Sequence, residues 1–259
     1  MEPHLQHSVM DGVATVVISN AAKRNAMTAQ MWRALPGLLE RFAADPEVRA
    51  LVLTGEGDTF CAGADISSLR APDRGPVDGL LPDDAPQDLA VRAEEALAAF
   101  PKPTLAAVRG YCVGGGCQLA AACDLRFAEE GASFGVTPAR LGIVYPASST
   151  RRLAALVGPS AAKYLLFSAE LIDPERALRT GLVDEVLPAG QLDKRVTEFT
   201  RVLALRSQLT QAATKEFIAG RSDRDAHWAK EARGSGDTAE GVAAFLERRT
   251  PRFTWTTRG

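Results

Sequence analysis

The sequence predicts an α/β core followed by a helical C-terminal region, on three observations. Short β-branched runs recur at 13–18, 50–54, 104–108 and 125–128, and the segments between them carry helical spacing. From Ser160 onward almost every segment repeats apolar residues every three or four positions. At 259 residues the chain suits one domain of the larger kind, or a compact body with a small appended subdomain.

Taken in order, the first strand is the run at 13–18, preceded by a polar terminus that holds His4 and His7 and reads as mobile. After Thr28, available as an N-cap, the residues Met31, Leu35, Leu38, Leu39 and Phe42 mark an amphipathic helix, which Pro36 is expected to kink. The second strand follows at 50–54. Between Arg70 and Gln87 the segment RAPDRGPVDGLLPDDAPQ has too little hydrophobicity for a core element and reads as a loop or lid. Strands at 104–108 and 125–128 bracket an apolar run after Gly116 that reads as a buried helix. Near the end, Leu192, Val196, Phe199, Val202 and Leu203 share one helical face, and no fixed-period repeat is present.

Composition excludes several function classes. Thirty Lys and Arg against 32 Asp and Glu give a formal charge of −2, so there is neither the basic excess of a nucleic-acid binder nor an acidic tail. The most hydrophobic stretch, around Leu119, is bounded by Arg109 and Asp124 and falls short of a membrane span. The N-terminus MEPHLQHSVMDG lacks the basic and apolar regions of a signal peptide, so a soluble cytoplasmic protein is expected. Cys61, Cys112, Cys117 and Cys123 form no CxxC pair and no metal-ligand spacing with histidine, which favours plain packing. With histidines only at 4, 7 and 227, a nucleophilic triad is poorly supported.

Two glycine-containing segments each follow an expected strand: TFCAGADI at 59–66 and GYCVGGGCQLAAACDL at 110–125. Glycine lets a backbone approach a ligand closely, and a helix that begins there presents unpaired amides. Two such amides could converge on a developing oxyanion, each typically worth roughly 3 kcal/mol in the transition state. From glycine content alone, two tight turns without a ligand remain the commoner reading, and the spacing matches neither nucleotide-binding glycine motif.

Five ordered blocks give a resemblance that covers nearly the whole chain. They are KRNAMT at 23–28, the FCAGADI loop, PKPTLAAVRGYCVGGGCQLAAACDLRFA, FGVTPARLGIVY at 134–145, and AFLERRTPRF at 244–253. Together they resemble the enoyl-CoA hydratase/isomerase (crotonase) superfamily. That likeness implies a ClpP/crotonase-like fold of stacked ββα units, with an α/β core over 1–190 and a helical trimerisation region over 191–259. It implies a homotrimer or homohexamer, and an acyl-CoA substrate whose coenzyme A is part of the thioester rather than a resident cofactor. By the same likeness, the amides of Ala64 and Gly115 would form an oxyanion hole for a thioester enolate. Lys23, Arg24 and Ala26, with Ala62, Asp65 and Ile66, would flank the adenine, and Arg248 would reach the CoA phosphates.

The departures from that family pattern are chemical. Typical hydratases carry one glutamate after GGGC and a second in an FGxPE segment, and here those positions hold Gln118 and Pro138. Neither is an acid or base near neutral pH. Loss of one such group typically lowers a rate about 100 to 10,000 fold, so ordinary two-glutamate hydration is not expected. Pro146 stands where many isomerases of the family keep their base. Tyr145 closes a stretch, Phe134, Thr137, Pro138, Leu141, Gly142 and Tyr145, that is similar to methylmalonyl-CoA decarboxylase-like members, where an enolate forms without a general base. Lyase-type chemistry, decarboxylation or an atypical hydration or isomerisation, is therefore one expectation, with Tyr145 and Gln118 in the site. A half-buried tyrosine bonded to a backbone carbonyl is the plain alternative for Tyr145, and a buried hydrogen-bond partner is that for Gln118. Arg140 reads as a surface ion pair or a carboxylate reader, and Asp65 as a helix cap. Two further readings stay open: hydration by a carboxylate from elsewhere, with Glu94 or Asp88 the places to look, and an acyl-CoA binding protein without catalysis.

Overall fold

The computed structural model describes residues 2–65 and 86–257. The loop read at 70–87 lies outside the described residues up to Pro86, where a helix begins.

A six-stranded sheet forms the centre, in the order β1-β2-β3-β4-β6-β8. Its strands are β1 His4–Met10, β2 Val13–Ser19, β3 Ala50–Gly55, β4 Thr104–Val108, β6 Leu125–Glu129 and β8 Glu185–Leu187. Only the β1–β2 pair is antiparallel. The N-terminal segment expected to be mobile is this edge strand, in register from His4 opposite Ser19 to Met10 opposite Val13. A signal for it was present: Asp11-Gly12 is a two-residue hairpin turn, and both residues take the positive φ, 52° and 78°, that such turns require. β3 and β4 are apolar along their length because helices cover both faces of the sheet.

On one face, α1 Ala29–Ala44, α2 Pro86–Ala98, α3 Gly115–Ala122 and α4 Ala147–Ser168 pack over Leu51, Leu53, Ala106 and Val108. On the other, α6 Leu192–Ala204 sets Leu192, Val196 and Phe199 against Val52, Leu105, Ala107 and Phe127. The alternation of strand side chains sorts these two sets. Val202, expected on the buried face of α6, is instead exposed. Thr28 caps α1 by accepting from the Met31 amide. The helix carries on through Pro36, which has no N–H to give to the ladder there. α4 does bend, at Gly158, whose φ of 78° precedes Pro159 at the start of the second limb.

Two short strands off the main sheet, β5 Tyr111–Val113 and β7 Ser133–Gly135, pair in parallel and position the site. Single bridges join Cys61 to Cys112 and Met27 to Ala64. Beyond α5 Pro174–Thr180 the chain is helical apart from β8, with α6 followed by α7 Gln208–Ile218, α8 Asp225–Ser235 and α9 Asp237–Leu246. α7 and α8 enclose a small separate core of Leu209, Ala212 and Trp228, flanked by Trp255.

Candidate active site

The two glycine loops meet. Cys61 donates its amide to Tyr111 and accepts from Val113, so the 59–65 loop runs beside β5 as an added strand. β5 ends at Val113, Gly114 turns with φ 58° and ψ −125°, and Gly115 opens α3. That turn is open only to glycine. A β-carbon built on Gly116 would lie 2.4 Å from the Cys61 carbonyl oxygen, so the helix start rests directly on the other loop's backbone.

Built β-carbons also measure how close the two candidate amides are. One on Gly115 would stand 3.8 Å from the Ala64 nitrogen, and one on Gly63 would stand 3.4 Å from the Gly115 nitrogen. Ala64 faces its bridge partner Met27 through its neighbours: Met27 donates to Gly63 and Asp65 donates to Met27. In a parallel bridge this turns the Ala64 N–H to the opposite side. Neither the Ala64 nor the Gly115 amide donates to a backbone carbonyl among the described residues.

Polar side chains without protein partners lie at this turn and on the elements that meet there. The Tyr145 hydroxyl lies 3.6 Å from where a Gly114 β-carbon would sit, with the Thr137 hydroxyl oxygen 3.8 Å from the same point. The backbone-carbonyl bond envisaged for Tyr145 does not form. Burial raises its phenol above the usual range, and the nearby Cys117 and Glu94 add to the rise. Gln118, one turn into α3 and 1 % exposed, has both carboxamide atoms buried and unpaired, which overturns its reading as a satisfied hydrogen-bond partner. The Trp32 ring is 3.1 Å from the built Gly115 β-carbon, and its buried indole N–H is unpaired as well. An unpaired buried polar group costs about 1–3 kcal/mol, so Gln118 and Trp32, both buried and unpaired, point to a ligand's polar groups as their partners. Trp32 was missed in the sequence, although its spacing of three to Leu35 was available.

The segment expected beside the adenine is tied to the first loop. Ala62 donates to Arg24 at 3.0 Å, and Lys23 pairs with Asp65 at 2.8 Å. Arg24 and Asn25 adopt positive φ, and the buried Asn25 carboxamide holds the turn by donating to the Glu56 and Thr59 carbonyls. Ala26 is buried behind them, and Arg24 stacks its guanidinium 4.6 Å above the Tyr111 ring. Ile66, and the helix that Asp65 was expected to cap, lie outside the described residues. Arg248 is exposed in a left-handed conformation just past α9, which packs chiefly on α8 rather than on the glycine loops. Arg140 is exposed and joins no ion pair among the described residues, contrary to its surface-pair reading.

Of the two carboxylates named as places to look, Asp88 is exposed and Glu94 is buried at 4 % exposure. Glu94 sits on the apolar stripe of α2 beside Ala93 and Leu97, accepts from the Ser149 hydroxyl at 2.5 Å, and lies 3.5 Å from Arg152. Burial pushes its carboxyl up to about 7, against the lowering effect of Ser149 and Arg152. The four cysteines are free and buried, as packing predicted, and burial pushes Cys61 up to about 12. His4 and His7 lie on β1 and His227 on α8. Among the described residues no cluster could hold a metal ion, and no helix is long and apolar enough to cross a membrane.

Comparison with known proteins agrees with the fold. A family model described as Enoyl-CoA hydratase/isomerase matches residues 8–256. The chain is 34% identical over 249 residues to the 2,3-dehydroadipyl-CoA hydratase of Escherichia coli, covering 93% of this chain and 94% of that protein. It is equally 34% identical to the crotonyl-CoA hydratase of Syntrophomonas wolfei over 256 residues, again covering 93% of this chain and 94% of the relative. Among solved structures, an enoyl-CoA hydratase/isomerase family member superposes with a TM-score of 0.89 at 39% identity, covering 98% of this chain and 99% of the other. An enoyl-CoA hydratase/carnithine racemase from Magnetospirillum magneticum gives the same score at 28% identity, covering 98% and 96% of the two chains.

Proposed function

Since this chain belongs to the enoyl-CoA hydratase/isomerase family, we propose that it binds an acyl-CoA thioester and holds its enolate oxygen between the amides of Ala64 and Gly115. The observation that carries this reading is the adjacency of two amides that donate to no backbone carbonyl, with the Tyr145 hydroxyl beside Gly114 and the buried, unpaired Gln118 and Trp32 on the elements that meet there. Lys23, Arg24, Ala26, Ala62, Asp65 and Ile66 take the adenine end, and Arg248 meets the phosphates. No permanently bound cofactor is required.

Gln118 and Pro138 offer no acid or base at the two positions where the resemblance implies carboxylates, and the Tyr145 hydroxyl stands beside Gly114. We infer a lyase-type reaction on a malonyl-type CoA ester. The bond from the α-carbon to the carboxylate breaks, CO2 leaves, and the electron pair passes to the thioester oxygen held by the two amides. A proton then returns to the α-carbon. Tyr145 orients the departing carboxylate through its hydroxyl. The test is Tyr145→Phe, which is expected to lower turnover of a malonyl-type ester at least tenfold with little change in affinity for CoA. Unchanged turnover would remove Tyr145 from the reaction.

Hydration is the second reading, favoured by the names of the relatives and by a buried carboxyl at Glu94. Rapid turnover of crotonyl-CoA with inertness toward malonyl-type esters would select it. Tight binding of CoA esters with turnover of none would leave an acyl-CoA binding protein.

A further inference from the structure

Glu94 is the buried carboxyl that the reading above leaves unused. It projects from α2 into an otherwise apolar stripe, where helix position alone calls for Leu or Ala. A buried carboxylate is retained at such a place only with partners, and those present are unequal to its two oxygens. Ser149 and Arg152 both approach Oε2, while Oε1 takes no partner among the described residues. Ser149 lies in the first turn of α4, four residues after Tyr145, so the bond that fixes Glu94 also ties α2 to the segment carrying the site's hydroxyl. α2 also packs directly on α3, the helix that Gly115 opens, so the helix carrying Glu94 flanks the glycine turn from a second side.

We propose that Glu94 is the acid–base group of this site, exchanging with the substrate the proton that enters or leaves the carbon alpha to the thioester. The inference rests on the thioester reading but does not depend on which reaction follows. In the decarboxylation direction, protonated Glu94 gives its proton to the α-carbon as the enolate electron pair returns from oxygen, and the resulting carboxylate regains a proton from water. In the reverse sense, the carboxylate removes an α-proton and the pair moves onto the oxygen between the two amides. Chemistry of this kind works best for a carboxyl balanced between its two forms near neutral pH, and burial holds Glu94 at about 7. The charged groups that face it are Arg152 from α4 and Glu95 from its own helix, with the Tyr145 phenol alongside.

The experiment follows exchange of α-protons of propionyl-CoA and hexanoyl-CoA for deuterium in D2O by NMR, with binding of both esters measured in parallel by calorimetry. Wild-type protein is expected to catalyse exchange that rises with pH through a midpoint near 7, because the base form is the carboxylate. Glu94→Gln should bind the esters as tightly, which also shows that it folds, yet exchange about 100-fold more slowly or worse, with the midpoint lost. Ser149→Ala should keep exchange and move the midpoint upward, since the serine hydroxyl favours the charged form. A merely structural role would not move that midpoint. Equal exchange by Glu94→Gln, or wild-type binding without exchange of either ester, overturns the assignment while leaving the thioester site standing. Failure of the wild type to bind either ester sinks the thioester reading itself.

Discussion

At position 118 a carboxamide is buried without a partner, at the place where the resemblance implies a carboxylate in typical members. Restoring a glutamate there is not expected to yield an efficient hydratase, because Pro138 leaves the second carboxylate absent. Crotonyl-CoA hydration by Gln118→Glu should stay within about tenfold of wild type, and a gain of a hundredfold or more would show that one carboxylate suffices. Glu94 gives a residue-scale prediction about stability as well. Its folded pKa is raised from 4.5 to about 7, so the folded state binds this proton more tightly than the unfolded chain does. The stabilisation is therefore complete below pH 4.5 and lost as pH rises through 7, a change on the order of 2–3 kcal/mol. Denaturant midpoints measured across this range should fall for wild type and flatten in Glu94→Gln. The identities at 118 and 138 were readable directly. The isolation of Gln118 and Trp32 was not, because an unpaired group is defined by what fails to surround it in space.

At the scale of elements, the site depends on how closely the start of α3 rests on the 59–65 loop. Gly116→Ala would drive a methyl group into the Cys61 carbonyl oxygen and its β-carbon, 2.4 and 2.7 Å away, both held by the bridge to β5. Rigid backbone cannot yield there cheaply, so a loss of about 3 kcal/mol is expected, read as a lower midpoint of urea denaturation. Gly131→Ala is a control with open space around it, though its φ of 85° carries its own smaller strain. Strands β2, β3, β4 and β6 were legible because buried parallel strands are continuous apolar runs, and α1 was legible from its stripe and its cap. β5, β7 and β8 were not, since three residues carry no periodicity and pairing alone makes them strands. β1 was missed because its residues are largely exposed at the sheet edge, and only the Asp11-Gly12 turn announced it.

For the whole molecule, the C-terminal helices leave Ile218, Val242, Phe245 and Leu246 exposed in the single chain. We propose that this apolar surface, in the region over 191–259, is the contact face of the trimer that the resemblance implies. Light scattering is expected to give three or six times the chain mass, and Phe245→Asp should shift it toward the monomer. A wild-type monomer would remove the trimer. By itself the sequence determined the α/β class, the helical C-terminal region, the family, and the presence of Gln118 and Pro138 where the resemblance implies glutamates. Those are properties of local pattern and residue identity, which persist whatever the chain's path. Only the tertiary structure decided that the Ala64 and Gly115 amides adjoin, that Tyr145 faces the same turn, and that Glu94 rather than Asp88 is the buried carboxyl. Each of those facts is a distance between segments remote in sequence, set by strand order and helix packing, and no local pattern encodes it.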